Sequence, residues 1–394
     1  MDKRNYFFPK YTISSLKEEI IKTINSNIIT FISSPTGCGK STQIPQYIFN
    51  NNHDLNIIVC EPRKIACESI SKYIQTENQN INIQCNDTSF YFGKYYEKNF
   101  DILFITENQL LNILSKDPIL SNCDILLIDE VHERTMKLDL ILFYMKYFTL
   151  TNNNINRGFK LILVSATFNI TNIKDYFNEI IEDDNIGIID SPINFNNYEI
   201  FYWKFKNNFY LKNENFDYSY IRNLSYKISQ VIRYDINFSE KKYSTNKTIL
   251  IFLPDYKSIS IVKNQLENDF SHINIHEFTG LRKFEGQLTL LNDLEELKNN
   301  NKNSINIILS TTLAETCLTF PNCDVVIDTG IKKTNKYNYY TNINEENIEF
   351  ISKDSAIQRA GRCGRGKKKV NVIDYIIMNN MINLENIDWL KLNI

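Results

Sequence analysis

Short runs of Ile, Leu and Val recur along this chain, separated by stretches of helical period, the pattern of a parallel sheet with crossover helices. The first series of predicted strands is Ile28–Ile32, Ile57–Cys60, Ile102–Ile105, Ile125–Ile128 and Leu161–Val164. A second series is Thr248–Leu253, Ile305–Leu309, Val325–Ile327 and Val370–Tyr375. Each series predicts one doubly wound α/β unit, with a ligand crevice at the carboxyl ends of its strands. Between them, from Asp190 to Lys247, lie Tyr/Phe-rich strand-like stretches and one amphipathic stretch, Tyr220–Ile232. The boundary is expected near Asn196, giving domains over 8–195 and 196–394. No fixed-period repeat is visible, so a solenoid or propeller is not indicated.

A chain of 394 residues agrees with two cores, since one core seldom grows that large. Apolar residues at 43% and charged residues at 23% are ordinary for a globular protein. The formal net charge of -2 means that any grip on nucleic acid must come from a local basic surface. The eight cysteines include no C-x-x-C pair, which argues against zinc and against a disulfide framework and for reduced, intracellular thiols. No run suits a signal peptide or a membrane span, so a soluble, non-secreted protein with no membrane partner is expected, its compartment open. Asparagine, roughly one residue in seven, fits an A/T-rich genome better than a function.

The chemistry begins where the first strand runs into Ser33-Ser34-Pro35-Thr36-Gly37-Cys38-Gly39-Lys40-Ser41-Thr42. This strand, glycine loop and helix read as a phosphate-binding loop. Gly37 and Gly39 let backbone N–H groups wrap phosphates, Lys40 reaches the β and γ phosphates, and the Ser41 hydroxyl holds Mg²⁺. The first glycine of the usual pattern is replaced by Ser34. Ile125–Ile128 then delivers Asp129-Glu130 to a strand end, where paired carboxylates are costly to bury without a metal ion. Asp129 is the candidate Mg²⁺ holder and Glu130 the group that polarises the attacking water, also beside the metal. Far downstream, Gln358 to Arg365 carries three arginines interrupted by glycines, a pattern that seldom stabilises anything unless it faces an anion. The adjacent Lys367-Lys368-Lys369 reads as solvated charge.

Asp129-Glu130-Val131-His132-Glu133-Arg134 resembles motif II of the DExH-box helicases of superfamily 2, most of all the DEAH-type RNA helicases and their poxvirus relatives. Ser41 to Gln46 is likewise typical of that group. Further stretches follow in the family's order over nearly the whole chain. Glu61 to Ala66 is similar to motif Ia, Thr106-Glu107-Asn108 to motif Ib, Ser165-Ala166-Thr167 to motif III, Ile249 to Pro254 to motif IV, Ser310 to Thr319 to motif V and Gln358 to Arg365 to motif VI. The resemblance implies two tandem RecA-like domains, an ATP and Mg²⁺ requirement, and an RNA substrate. It implies phosphate-backbone contacts at Arg63, Thr106 and Thr311, and coupling of hydrolysis to movement through His132, Ser165 and Thr167. It also implies that Gln358 orients the attacking water and that Arg362 and Arg365 act as arginine fingers on the γ phosphate. Thr312 and Cys317 depart from the family's Asn and Ser.

On this resemblance ATP would bridge Lys40 and the motif VI arginines when the two domains close, and hydrolysis would release them. Backbone contacts read no base sequence. RNA over DNA rests on the resemblance alone. Lys336 to Ile351 alternates like a hairpin, with Tyr337, Tyr339 and Tyr340 on one arm; DEAH-type helicases carry a strand-separating hairpin here, and a plain edge hairpin is the other reading. Tyr73 stands where those proteins stack an arginine on the base, which implies broad NTP choice. The family's usual modules beyond the second motor domain are not in this sequence, so incomplete strand enclosure and a possible accessory protein are expected. A large DNA virus is the expected source. Two other functions stay open: an RNA-stimulated NTPase or ribonucleoprotein remodeller that does not unwind, and a non-hydrolysing RNA scaffold.

Overall fold

The computed structural model describes residues 12–34, 38–86, 100–151, 155, 157–165, 170–191, 198–205, 218–240, 247–280, 289, 305–316, 323–338, 340–362 and 372–379. The chain divides into two compact units, Met1–Phe195 and Asn196–Ile394.

The first unit opens with a 3-10 turn, Thr12–Leu16, and then runs α1 (Lys17–Ser26), β1 (Ile29–Ser33), α2 (Lys40–Asn51), β2 (Ile57–Glu61), α3 (Lys64–Glu77), β3 (Ile83–Cys85) and β4 (Ile102–Thr106). It continues through α4 (Glu107–Leu114), β5 (Ile125–Ile128), α5 (Met136–Tyr144), β6 (Lys160–Ser165), α6 (Ile170–Asn178) and β7 (Ile186–Asp190). The strands form one sheet in the order β3-β4-β2-β5-β6-β1-β7, and every pairing is parallel. Helices cover both faces, and this explains why the strands show no polar alternation. Ile57 and Val59 enter one core cluster while Ile58 and Cys60 enter the other; Ile102 and Phe104 part from Leu103 and Ile105 in the same way. Each such side chain contributes about 1.5–3 kcal/mol by leaving water. At Gly187 of β7 the end of α1 comes so close that a Cβ would lie 2.3 Å from Thr23 Cγ2.

The second unit contains β8 (Tyr198–Phe205), α7 (Ser219–Glu240), β9 (Lys247–Phe252), α8 (Tyr256–Asp269), β10 (Ile273–Phe278), β11 (Ile305–Ser310) and α9 (Leu313–Thr316). β12 (Val325–Asp328), β13 (Ile331–Asn338), β14 (Ile343–Phe350), α10 (Lys353–Ala360) and β15 (Val372–Asn379) follow. Its sheet has the order β10-β11-β9-β12-β15-β8, again parallel throughout. Helices α7 and α8 pack through Leu224, Ile228 and Val231 with Ile259, Val262 and Leu266. Asp255 caps α8, accepting from Ser258 N at 2.8 Å and Ser258 Oγ at 2.6 Å.

All nine predicted strands are present, eight of them within one residue of their predicted ends and the last displaced from Val370–Tyr375 to Val372–Asn379. β3, β7 and β10 were not expected; β3 is short, and Gly187 breaks the apolar run of the sequence that forms β7. The aromatic stretch read as part of a connector supplies β8, which pairs with β15 from Tyr198↔Val372 to Phe205↔Asn379. The expected hairpin exists as the antiparallel pair β13–β14 and begins earlier than Lys336, because Lys332, Lys333 and Asn335 hide the strand behind polar side chains. Tyr340 at its turn is 99% exposed, and Tyr339 lies outside the described residues. Among the described residues every cysteine is free and no helix is long and apolar enough to cross a membrane.

Candidate functional site

In the first unit the carboxyl ends of β1, β5 and β6 gather the predicted phosphate chemistry. Parallel pairing sets Ser33 opposite Ser165, and Ser34 N donates to Ser165 O at 3.2 Å. Ser34 is buried, and its hydroxyl lies 2.8 Å from Cys38 Sγ. The serine that replaces the usual glycine therefore spends its hydroxyl inside the loop. Pro35, Thr36 and Gly37 lie outside the described residues. Gly39 has φ 97° at the start of α2, a left-handed turn that costs a glycine little and other residues more. Lys40, only 6% exposed, donates its Nζ to Ser34 O. Thr42 is half-buried and donates its hydroxyl to Gly39 O at 3.1 Å.

Ser41 Oγ donates to Asp129 Oδ2, so the first turn of α2 meets the end of β5. Burial, and then the neighbouring Glu130 charge, push the Asp129 carboxyl up to about 6 although Lys40 and the Ser41 hydroxyl pull the other way. Glu130 itself sits at φ 53°, ψ 39°, a left-handed backbone that costs a non-glycine residue about 1–3 kcal/mol and is concentrated at functional sites. Its Oε2 is buried without a hydrogen-bond partner, 3.5 Å from His132 Nδ1. His132 Nδ1 instead pairs with Ser165 Oγ at 3.0 Å. Two of the three predicted coupling residues thus touch, while Thr167 lies outside the described residues.

The arrangement fits a bound magnesium ion. A hydroxyl and a carboxylate converge, burial and the Glu130 charge leave Asp129 short of countercharge, and the next residue, Glu130, has a buried carboxylate oxygen without a hydrogen-bond partner. All are hard oxygen donors of the kind Mg²⁺ takes one or two at a time beside substrate phosphates. Among the described residues no three His, Cys, Asp or Glu side chains could hold a metal by themselves.

Sequence reasoning assigned no role to Glu61. It ends β2, next to β5, and its buried carboxyl is pushed well above the carboxylate range by burial first and by Asp129, Glu130 and Glu133 after it. Carboxylates at the ends of two adjacent strands were the signal.

Arg63 and Thr106 occupy the N-terminal ends of α3 and α4. A cavity of about 360 Å³ lies here, lined among others by Lys64, Asn86, Thr106, Asn108 and Lys137. Thr106 donates both its N–H and its hydroxyl to Gln109 Oε1, each at 2.9 Å. A phosphate contact from Thr106 therefore requires that pair to open; Lys64, which also lies 3.9 Å from Glu68 Oε1, Asn108 and Lys137 line the same cavity. Lys137, just past the acidic box, went unnoticed in the sequence.

In the second unit Thr311 follows β11, and its carbonyl accepts from Ala314 N at 3.3 Å. Gln358 and Arg362 are buried, on and just after α10. Arg362 donates to Glu315 O. Arg359 is buried between Glu315 Oε2 at 2.9 Å and Asp328 Oδ1 at 2.8 Å. Cys363, Gly364, Arg365, Lys367, Lys368 and Lys369 lie outside the described residues, as does Cys317.

A glycine-led helix carrying a buried lysine and a hydroxyl aimed at a strand-end aspartate, on a parallel sheet, defines a P-loop protein. Residues 14–176 match the DEAD/DEAH box helicase family, and residues 226–367 match the helicase conserved C-terminal domain. The chain belongs to the DEAD/DEAH box helicases. It is 32% identical over 366 residues to the ATP-dependent RNA helicase HrpA of Borreliella burgdorferi, covering 91% of this chain and 40% of that protein. It is 30% identical over 374 residues to a probable ATP-dependent RNA helicase spindle-E of Drosophila pseudoobscura pseudoobscura, covering 90% of this chain and 26% of that one. The crystal structure of the Escherichia coli DEAH/RHA helicase HrpB shares the fold at a TM-score of 0.67 and 19% identity, over 93% of this chain and 42% of that chain. The chain thus spans less than half the length of these relatives. They are bacterial and animal, and lend the expected viral source no support.

Proposed function

We propose that this chain is an ATP-dependent RNA helicase, coupling hydrolysis of ATP to movement along or unwinding of RNA. The observation that carries the reading is the junction of Lys40, Ser41, Asp129 and Glu130 at the ends of β1 and β5. Phosphates of ATP would displace Ser34 O from the Lys40 ammonium and meet the N-terminal amides of α2. Ser41 and Asp129 would hold Mg²⁺, which supplies charge neutralisation at the phosphates. Glu130 would accept a proton from the attacking water, and its orphaned oxygen suits that task. Gln358 would orient the water, and Arg362 with Arg365 would stabilise charge that develops on the γ phosphate.

The cavity beside α3 and α4 supports a phosphate-backbone grip on single-stranded RNA, since it brings lysines and helix N-termini together. The His132–Ser165 contact supports a route from the nucleotide to motif III.

Lys40→Ala and Glu130→Gln test the reading. Both are expected to lower ATP turnover at least a hundredfold, with Glu130→Gln still binding nucleotide, because removing one such group typically costs two or more orders of magnitude. Variants that keep turnover would refute hydrolysis at this site. Turnover lost without any loss of the protein's effect on RNA structures would favour a scaffold.

A further inference from the structure

A surface helix carries its apolar residues on one stripe and polar residues opposite; α5 is apolar on both sides. It runs without interruption into a π turn, Met145–Thr149, and the inner side of this rod, with Leu138, Ile141, Leu142 and Met145, enters the core of the first unit. Its outer side carries Met136, Leu140, Phe143 and Tyr147 at spacings of four, three and four, which sets them in one row. All four are exposed, Met136 by 85% and Tyr147 by 52%, and Phe148 stands open beside them.

These side chains form one patch. The Phe143 ring lies 4.7 Å from that of Tyr147 and 6.1 Å from that of Phe148. The π turn, a widened helical turn frequent at functional sites, keeps both rings next to Phe143. Apolar residues exposed singly need no explanation, but a contiguous patch marks a surface that meets something else. Neither the nucleotide nor the RNA reading gives this one a part.

Size and charge define what fits it. At roughly 200 Å² for a whole large side chain, the exposed fractions amount to on the order of 500 Å², short of the ~800 Å² that each side of a stable dimer buries. That is the footprint of a single helix laid along another with anchors every three or four residues. At the Tyr147 end the row meets an acidic rim. Lys146, buried against the rings of Tyr147 and Tyr176 at 5.3 and 4.1 Å from their centres, pairs with Glu179 and so fixes the end of α6 beside the row. Past Glu179 follow Glu182, Asp183 and Asp184, all exposed. The carbonyl end of the helical rod adds partial negative charge at the same place. The Met136 end instead adjoins Arg134 and Lys137.

From this geometry we infer that the outer face of α5 is a docking surface for an amphipathic helix of another protein. The apolar stripe of that helix covers Met136 to Tyr147, and its Lys/Arg-rich end lies over the rim from Glu179 to Asp184. The inference goes beyond the helicase reading and does not depend on it.

The probe that tests it is a fluorescein-labelled peptide of about five helical turns, with leucines at helical spacing and lysines confined to one end. One control peptide replaces the lysines by glutamates, and another scrambles the same composition. Fluorescence anisotropy measures binding to the full chain, and hydrogen exchange locates it. The lysine peptide is expected to bind at least about tenfold more tightly than either control and to slow exchange in α5 and at the end of α6; Leu140→Ser and Phe143→Ser should each weaken it about tenfold, the loss on removing an anchor. Both side chains are half exposed, so the variants should keep the circular dichroism of wild type. If either fails to fold, the rim variant Glu182→Gln with Asp184→Asn decides: it must lose preference for lysine over glutamate. A lysine peptide that does not bind, equal binding of all three peptides, slowed exchange elsewhere, or variants that bind like wild type overturns the inference. So does a wild-type dimer that Phe143→Ser abolishes, because the occupant is then a second copy. Tyr147 shielded from iodination in the free chain overturns it as well, because the chain then covers this face itself.

Discussion

Asp129→Asn is expected to make the nucleotide-free protein more stable at neutral pH while destroying its activity. The Asp129 carboxyl rises from its ordinary 3.8 to about 6, by burial first and the Glu130 charge second. A raised carboxylate favours the folded state only while protonated, so its contribution is complete below the unfolded value near 3.8 and is lost as pH climbs through 6. At about 1.4 kcal/mol per pH unit, ionised Asp129 costs the fold about 3 kcal/mol at pH 7 and above. Asparagine keeps an acceptor for Ser41 and removes the charge, so the variant should regain most of that. Native-state hydrogen exchange of β1 and β5 amides reads the first unit alone, which matters because a two-unit chain does not unfold in one step. The gap between variant and wild type should be widest at pH 8, shrink near pH 6 and vanish by pH 4. Excess Mg²⁺ with nucleotide should narrow it at pH 8, since the ion supplies the missing countercharge. An asparagine variant less stable than wild type at pH 8, or a gap independent of pH, would refute the reasoning.

Gly187→Ala should destabilise the first unit by about 1–3 kcal/mol, the usual cost of overpacking, because the new Cβ meets Thr23 Cγ2 at 2.3 Å and Asn27 Nδ2 at 2.7 Å; urea denaturation showing a change below half that would contradict the close approach. Asp328→Ala leaves the buried Arg359 with Glu315 as its remaining carboxylate partner and should cost about 3 kcal/mol, since it breaks a buried pair from one side. Lys336→Ala removes only the exposed hairpin ion pair with Glu349 and should cost under about 1 kcal/mol; equal losses would show that burial does not set the difference. Lys64→Ala and Lys137→Ala should each weaken RNA binding evenly across sequences and reduce the salt slope by about 1, and unchanged slopes would remove the cavity from the RNA path.

Most of the fold could be read from the chain because parallel strands buried on both faces write themselves as unbroken apolar runs. β5 matches its predicted span, Ile125–Ile128, for that reason. Of the edge strands, β10 escaped notice because it alternates with Asn274 and His276, and β8, which lies in an aromatic stretch read as strand-like, was not assigned to the second sheet for want of the Ile/Leu/Val signature. The phosphate loop and the acidic box were legible because their residue types leave little else to do. What stayed hidden was contact between distant segments. Nothing in the spacing says that Ser41 meets Asp129, that His132 meets Ser165, or that Glu315 binds the arginines near 360; those follow from strand order and helix placement. Nor could the sequence tell that Gln109 already takes the Thr106 hydroxyl.

The central claim is tested most directly by the steady-state rate of ATP hydrolysis by the full chain with Mg²⁺, measured with no nucleic acid, with single-stranded RNA and with single-stranded DNA, beside Lys40→Ala as control. The account predicts Mg²⁺-dependent hydrolysis that single-stranded RNA stimulates several-fold and that Lys40→Ala abolishes. Hydrolysis indifferent to every nucleic acid, or surviving in Lys40→Ala, would contradict it.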